Sequence, residues 1–215
     1  MFDAYGTLFD VHSVTALAEA TFPGRGGALS QLWRTKQLEY TWLHAAMGTY
    51  VDFDAVTAAG LRYACASLGL DADEVRIAAL IAQYAKLETF AEVPDALAHL
   101  RVTHHLAILS NGTPDTLRTL VTGTGLDGVF AAVISVDSLR TFKPDMRVYR
   151  LAVDRLGIAR ERIGFVSSNC WDAIAAKHFG FTAFWVNRQN APLDLHGVAP
   201  DHIVRSLEDL APFEH

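Results

Sequence analysis

The chain of 215 residues has little cysteine, no long apolar run and no excess of basic residues, and each shortage excludes a class of protein. Two cysteines, Cys65 and Cys170, are too few for a disulfide-stapled fold and favour a reducing compartment, so we predict a cytoplasmic location. The sequence has no stretch of about 18 apolar residues, so no membrane-spanning helix is expected. A formal net charge of −6 argues against a nucleic-acid-binding protein, which needs a basic face.

The composition otherwise fits a globular protein, because 51% of the residues are hydrophobic and 20% are charged. At roughly 150 residues per domain, the length allows one large domain or one domain with a smaller insert. The chain begins with two apolar residues, Met1 and Phe2, directly before Asp3 and a Gly-Thr turn. This pattern is typical of the end of a strand, so we expect either a true start upstream of Met1 or a truncated first strand.

Short apolar runs alternate with helical patterns in the second half of the chain and predict a parallel sheet covered on both faces. After the first strand, the predicted strands cover residues 106–110, 131–136, 163–168, 182–186 and 202–204. Residues 13–91 show helical patterns alone, with Asp71 as the expected N-cap of the last of these helices. We therefore predict an α/β fold with a doubly wound, mostly parallel, Rossmann-like sheet. Its core domain comprises residues 1–12 and 92–215, and a helical cap domain of residues 13–91 is inserted after the first strand.

Polar side chains follow the first four predicted strands at the points where the strands end. They are Asp3, Tyr5, Thr7, Ser110, Asn111, Lys143, Ser167, Ser168, Asn169 and Asp172. Because the carboxyl ends of parallel strands meet at one edge of a sheet, where such sheets bind ligands, we expect these side chains to form a site. A carboxylate there can act as a nucleophile, a lysine can keep it ionised, and a second carboxylate can activate water. Any single one of these residues is more often a turn former or helix cap, so the agreement among four strand ends carries the prediction.

Four of these segments together resemble the motifs of the haloacid dehalogenase superfamily. The matching segments are 3–10, 110–112, 143–144 and 167–172. Segment 32–43 of the helical region is similar to the cap helix of the (S)-2-haloacid dehalogenases, a branch of that superfamily. The first three motifs are typical of the whole superfamily, whereas the fourth motif and the cap helix indicate the branch.

The alternative within this superfamily is a magnesium-dependent phosphatase acting on a small phosphate ester. Phosphatases of this kind have a second Asp two residues after the nucleophile and further acids in the fourth motif. This chain has Tyr5 at the first position, and Ser168 and Asn169 in the fourth motif. Mg²⁺ prefers carboxylate and water oxygens, so we expect no metal site and no other cofactor. A catalytically idle binding module is a third hypothesis, although it predicts a damaged set of site residues.

The resemblance implies hydrolytic dehalogenation of (S)-2-haloalkanoic acids to (R)-2-hydroxyalkanoic acids, with an aspartyl-ester intermediate and inversion at C2. The residues expected to act in catalysis are Asp3, Thr7, Arg34, Lys143, Ser167, Asn169 and Asp172. The residues expected to bind substrate or halide are Tyr5, Leu38, Phe53, Ser110, Asn111, Tyr149 and Trp171. A 2-haloalkanoate and a halide ion are therefore the expected partners. A homodimer is the expected assembly, because dimers are common in this family.

The resemblance also implies a role for each of these residues. Asp3 is the expected nucleophile, Lys143 keeps it anionic, and Thr7 supports its carboxylate. Arg34, from the cap, faces the departing halide, and Asp172 positions the water that cleaves the ester. Asn111 and Trp171 are expected at the halide, and Ser110 and amides near Tyr5 at the substrate carboxylate. Leu38 and Phe53 are expected at the alkyl chain. Tyr149 is expected near Lys143, and Ser167 and Asn169 at the water.

Overall fold

The computed structural model describes residues 1–194 and 197–213 and shows strands that alternate with helices. The strands are β1 (Ala107–Ser110), β2 (Ala132–Ser135), β3 (Gly164–Ser167), β4 (Thr182–Val186) and β5 (His202–Val204). The helices are α1 (Thr15–Thr21), α2 (Gly26–Met47), α3 (Phe53–Ser67), α4 (Glu74–Tyr84), α5 (Val93–Leu100), α6 (Pro114–Gly123), α7 (Met146–Leu156) and α8 (Cys170–Phe179). Short 3-10 helices cover Val136–Leu139, Arg160–Arg162 and Leu207–Phe213.

The sheet is parallel, and the N-terminal segment lies in its middle. Strand β1 pairs with β2, and β4 pairs with both β3 and β5. Phe2 forms parallel bridges to Ile108 on β1 and to Val166 on β3, so it joins the two groups of strands. The amide of Phe2 donates to Ala107 O at 2.8 Å, and the amide of Asp3 donates to Val166 O at 2.9 Å. The predicted α/β fold with a mostly parallel sheet is confirmed, and Asp3 directly follows its central segment.

Four helices, α1 to α4, follow this central segment along the chain, and α5 then leads to β1. Helix α2 packs against α1 and α3, and α4 packs against α1 and α3. Asp52 caps α3, because its carboxylate accepts a hydrogen bond from the amide of Ala55 at 2.7 Å. The prediction of Asp71 as the cap of α4 is wrong. The helix begins at Glu74, so it is Asp73 whose carboxylate reaches the amide of Arg76 at 2.8 Å.

The two chain segments that enter and leave the helices α1–α4 lie side by side. The amide of Asp10 donates to Glu88 O at 2.8 Å, and that of Phe90 donates to Leu8 O at 3.2 Å. This pairing brings the start of α1 and the end of α4 back to one edge of the sheet. The division into a core of residues 1–12 and 92–215 and a cap of residues 13–91 stays a prediction. Among the described residues, no helix is long and apolar enough to cross a membrane.

Candidate active site

Asp3 is a buried carboxylate whose two oxygens are held by three side chains from distant parts of the chain. Its Oδ1 accepts a hydrogen bond from Lys143 Nζ at 3.0 Å. Its Oδ2 accepts from Asn169 Nδ2 at 2.9 Å and from Thr7 Oγ1 at 3.1 Å. The Thr7 hydroxyl in turn accepts from the amide of Ser168 at 2.8 Å. Since all of these bonds aim at one carboxylate, its direction is fixed before a ligand arrives.

Lys143 is a fully buried cation that lies between two carboxylates. Its Nζ is 3.0 Å from Asp3 Oδ1 and 2.9 Å from Asp172 Oδ2. Burial lowers the pKa of Lys143, but the charges of Asp172 and Asp3 outweigh that effect and leave the pKa above its usual value. Nζ also lies 4.9 Å from the centre of the Phe165 ring. The lysine is therefore charged at neutral pH, and it keeps two acidic groups close together.

Asp172 lies behind the lysine in the most deeply buried part of the site. Besides Lys143, it has one further partner: Tyr149 OH donates to its Oδ1 at 2.7 Å. Burial raises the pKa of Asp172, while the charge of Lys143 and the hydrogen bond from Tyr149 oppose that rise. Burial and the neighbouring carboxylate also raise the pKa of Tyr149 well above its usual value, so its hydroxyl stays a proton donor. The result is a carboxylate that is more basic than an exposed Asp.

The polar residues at the ends of β1 and β3 shape the backbone around these charges. Asn111 Oδ1 accepts from the amide of Lys143 at 2.9 Å and so fixes the loop that carries the lysine. Ser110 Oγ accepts from the amide of Gly112, and Ser167 Oγ accepts from the amide of Asn169, both at 3.1 Å. Both serines are fully buried. Both lie where the strand-end pattern predicts, and each accepts its hydrogen bond from the amide two residues later in the chain.

Arg34 reaches the site from helix α2. Its Nη2 donates to the carbonyl oxygen of Tyr5 at 3.1 Å and approaches Asn169 Oδ1 at 3.4 Å. The Asn169 side chain therefore connects the two charged groups: its amide nitrogen binds Asp3, and its oxygen binds Arg34. A carboxylate and a cation thus lie on the two sides of one amide. This arrangement suits a substrate that is attacked at one end of a bond and releases an anion at the other.

Aromatic and aliphatic side chains surround this polar group. The Tyr5 ring lies 4.9 Å from the Phe53 ring and 5.9 Å from the Tyr84 ring, measured between centroids. Tyr5 OH is buried and has no hydrogen-bond partner in the part of the chain that the structure describes. Leu38 and Arg34 both line a cavity of about 430 Å³, together with Asn169. Trp171 is half-buried and meets Trp42 of α2 edge-on at 5.5 Å. The predicted binding residues thus lie on both sides of the boundary between α2–α3 and the sheet.

Two residues of this site were not predicted from the sequence. Arg188, just after β4, donates to the carbonyls of Gly6 and Thr7 at 3.3 and 3.0 Å and to Ser168 Oγ at 2.7 Å. It also pairs with Glu92 at 2.7 Å, so its guanidinium is committed to protein groups. Arg188 therefore holds the loop that carries Asp3 and Thr7. The rule that polar residues follow strands would have found it, had it been applied to the fifth predicted strand.

The second unpredicted residue is Gln37, whose amide oxygen accepts from Arg34 Nη1 at 2.7 Å. It is fully buried on α2, on the same face as Leu29, Trp33 and Thr41. The sequence signal was a polar residue at four-residue spacing from buried apolar ones. Trp42, farther along the same helix, is apolar yet 39% exposed.

The donor set fits a metal ion poorly. Asp3 and Asp172 both direct an oxygen at the Lys143 ammonium, which balances much of their charge. Across residues 1–194 and 197–213, no group of three or more His, Cys, Asp or Glu side chains is placed to hold an ion. Mg²⁺ requires oxygen ligands in near-octahedral geometry, and this arrangement supplies few of them.

Comparisons with known proteins agree with this chemistry. The family model of haloacid dehalogenase-like hydrolases matches residues 1–180. An (S)-2-haloacid dehalogenase of Pseudomonas sp. (strain YL) is 49% identical over 207 residues, which cover 96% of this chain and 89% of the relative. Haloacetate dehalogenase H-2 of Moraxella sp. (strain B) is 47% identical over 208 residues, which cover 96% of this chain and 93% of the relative.

A solved structure shows the same fold with a covalently bound ligand. It is the L-2-haloacid dehalogenase from Xanthobacter autotrophicus with chloropropionic acid covalently bound. The two chains are 41% identical and superpose with a TM-score of 0.92, which covers 99% of this chain and 96% of that one. The chain therefore belongs to the haloacid dehalogenase-like hydrolases and, among them, to the (S)-2-haloacid dehalogenases.

Proposed function

We propose that the protein hydrolyses (S)-2-haloalkanoic acids to (R)-2-hydroxyalkanoic acids without a metal ion. The observation that carries the proposal is the placement of Asp3 and Arg34 on the two sides of the Asn169 amide. A carbon–halogen bond between them has a nucleophile at its carbon and a cation at its halogen. Departure of a halide needs no proton, so Tyr5 can stand where a phosphatase has its general acid.

In the first step, a carboxylate oxygen of Asp3 attacks C2, and the electron pair of the carbon–halogen bond leaves with the halide. The attack is in line with the leaving halide, so C2 is inverted and an ester forms with Asp3. Thr7 and Asn169 hold Oδ2, while Lys143 holds Oδ1, which keeps the carboxylate ionised and aimed. Arg34 binds the halide, with Asn111 and Trp171 completing its surroundings.

In the second step, water attacks the carboxyl carbon of the ester on Asp3. Asp172 takes a proton from this water, and its burial-raised pKa makes it a better base for that purpose. Ser167 and Asn169 position the water. The bond between the Asp3 carboxyl carbon and the ester oxygen then breaks, and the departing oxygen takes the proton back from Asp172 to give the hydroxy acid. The second proton of the water leaves to solvent, which restores the Asp3 carboxylate. Tyr149 keeps Asp172 oriented through its hydroxyl.

The substrate itself is held by the rest of the predicted set. Ser110 and backbone amides near Tyr5 bind the substrate carboxylate. Leu38 and Phe53 form an apolar wall beside the alkyl chain. An apolar, dry surrounding strengthens the contact between Arg34 and the halide, because charges interact more strongly in a low dielectric.

The direct test is halide release from (S)-2-chloropropionate in the presence of EDTA. We expect release by the wild type, none by Asp3→Asn, and normal release by Asp95→Asn, which changes an exposed carboxylate on α5. Haloacetates and both configurations of 2-halopropionate complete the substrate panel. Magnesium-dependent phosphate release without halide release would instead establish the phosphatase alternative.

An isotope experiment separates the two-step route from direct attack by water. In a single turnover in ¹⁸O-water, label should enter the Asp3 carboxylate, because water attacks the ester carbonyl. Label that enters the hydroxy acid directly would show that water displaces the halide, and the nucleophile assignment would then be wrong.

We also propose a homodimer in a reducing, cytoplasmic environment. Helix α2 carries large apolar side chains at the surface: Trp42 is 39% exposed, Leu43 46% and Met47 62%. Tyr40, by contrast, packs against Tyr63 within the chain. Burying such a face would stabilise a dimer, and analytical ultracentrifugation of the wild type and of Leu43→Glu tests it. Cys65 and Cys170 are both free and buried, which supports the reducing environment.

A further inference from the structure

A single buried amide, that of Gln37, connects three helices directly behind Arg34. Gln37 lies on α2, three residues after Arg34, and is fully buried. Its Oε1 accepts from Arg34 Nη1 at 2.7 Å and from Tyr84 OH of α4 at 2.9 Å. Its Nε2 donates to Thr57 Oγ1 of α3 at 2.6 Å. The oxygen and the nitrogen of the amide thus both have hydrogen-bond partners.

The network determines which end of the amide faces Arg34. Thr57 Oγ1 donates its proton to the carbonyl of Phe53 at 2.7 Å, so its oxygen is an acceptor toward Gln37. The nitrogen of Gln37 must therefore lie on the Thr57 side and its oxygen on the side of Arg34. A reversed amide would place N–H groups against the guanidinium and leave Tyr84 OH without its acceptor. Gln37 is consequently locked in an orientation that offers Arg34 a neutral oxygen.

The other partners of Arg34 are neutral as well. They are the carbonyl oxygen of Tyr5, the side-chain oxygen of Asn169 and the hydroxyl of Tyr84. Within the part of the chain that the structure describes, no ion pair joins Arg34 to an Asp or Glu side chain. Neutral oxygens orient a guanidinium while leaving its positive charge uncompensated, whereas a carboxylate would orient it and cancel the charge.

We propose that Gln37 is a positioning residue, which directs Arg34 at the leaving halide and preserves its charge for that anion. This inference rests on the proposed dehalogenation. Charge that develops in a transition state is stabilised best by a preoriented group in a site from which water is excluded. Chloride concentrates the departing charge in a smaller ion than bromide does. A weakened Arg34 should therefore slow the release of chloride more than the release of bromide.

The sharpest variant is Gln37→Glu, because Glu has the same shape and differs in charge. Halide release is measured in single turnovers with (S)-2-chloropropionate and (S)-2-bromopropionate, and thermal melting checks the fold of each variant. We expect Gln37→Glu to lose about 10- to 100-fold in rate with the chloro substrate. The loss with the bromo substrate should be smaller, so the ratio of bromide to chloride rates rises.

Two further variants keep the test decisive. Tyr84→Phe removes a hydroxyl that bonds both Gln37 and Arg34 but adds no charge, so the bromide-to-chloride ratio should rise less than in Gln37→Glu. Gln37→Met has similar length and no charge, and it should slow both substrates because Arg34 loses its orientation. This second variant tests the inference even where Gln37→Glu does not fold.

The outcomes separate this inference from the function on which it rests. A wild type that releases no halide from either substrate overturns the proposed function itself. If the wild type is active, either of two results overturns the role of Gln37 and leaves the proposed function standing. The first is an unchanged ratio in a folded Gln37→Glu variant, and the second is wild-type rates in Gln37→Met.

Discussion

Replacing Lys143 by Met tests whether one buried cation holds the site together. In the wild type, Lys143 Nζ lies 3.0 Å from Asp3 and 2.9 Å from Asp172, and all three side chains are at least 90% buried. Methionine has a similar length but no charge, so the variant leaves two carboxylates close together without a cation between them. Breaking a buried ion pair by removing one member costs about 3–5 kcal/mol. At roughly 2–4 °C per kcal/mol for a chain of this size, we expect Tm to fall by about 6–20 °C.

The loss of stability should depend on pH in a defined direction. Lys143 is one of the groups that oppose the burial-raised pKa of Asp172, so its removal raises that pKa further. A carboxyl group whose pKa is higher in the folded than in the unfolded chain favours folding at low pH and disfavours it as pH rises. The difference in Tm between wild type and Lys143→Met should therefore be largest at neutral pH and shrink toward about pH 4.

A double variant provides the matched control. Adding Asp172→Asn to Lys143→Met removes one of the two unpartnered charges, and the tyrosine hydroxyl at Asp172 keeps an oxygen acceptor. We expect the double variant to melt at a higher temperature than Lys143→Met and to stay inactive in halide release. A single variant as stable as the wild type, or a loss of stability that is the same at pH 4 and pH 7, would refute the assigned charges.

Two further predictions concern the walls of the site. A Cβ at Gly112 would lie 2.8 Å from Tyr5 Cε2 and 2.9 Å from its OH, so Gly112→Ala should displace the ring and reduce halide release. A Cβ at Gly123, the last residue of α6, meets nothing within 4 Å, and thermal melting should show Gly123→Ala as stabilised by about 0.5–1 kcal/mol with normal activity. Tyr149→Phe removes a hydrogen bond that lowers the pKa of Asp172. As the pH falls, halide release by this variant should therefore decline at a higher pH than it does in the wild type. An acidic limb at the wild-type position would contradict the role of Asp172.

The strand ends were the part of the site that the sequence predicted well. An apolar run followed by a polar residue is a local pattern, and a parallel sheet brings the ends of such runs to one edge. Asp3, Asn111 and Asp172 therefore lie together as predicted, although each belongs to a different part of the chain. The cap of α4 was misplaced by two residues because Asp71 and Asp73 both fit the local pattern, and only the backbone geometry selects Asp73.

Residues that act through contacts between helices were not predicted. Gln37 and Arg188 have no motif of their own, and apart from Arg34, which is three residues from Gln37, their partners are 20 to 182 residues away along the chain. The exposure of Trp42 could not be predicted either, because the apolar pattern of α2 is compatible with more than one buried face. Packing against α3 and α4 selects the face that contains Gln37.

The chain is acidic overall and its substrate is an anion, and the partners of Lys143 and Arg34 explain how the site accepts that anion. Lys143 faces two carboxylates, whereas Arg34 faces neutral oxygens. On the proposed mechanism, ester formation neutralises Asp3 and creates a halide ion, so one negative charge moves from beside Lys143 to beside Arg34. Before the step, Lys143 lies beside two carboxylates, and no Asp or Glu in the described part of the chain forms an ion pair with Arg34. After the step, Lys143 has Asp172 alone and Arg34 has the halide. The unequal partnering in the resting site therefore favours the direction in which the reaction moves charge.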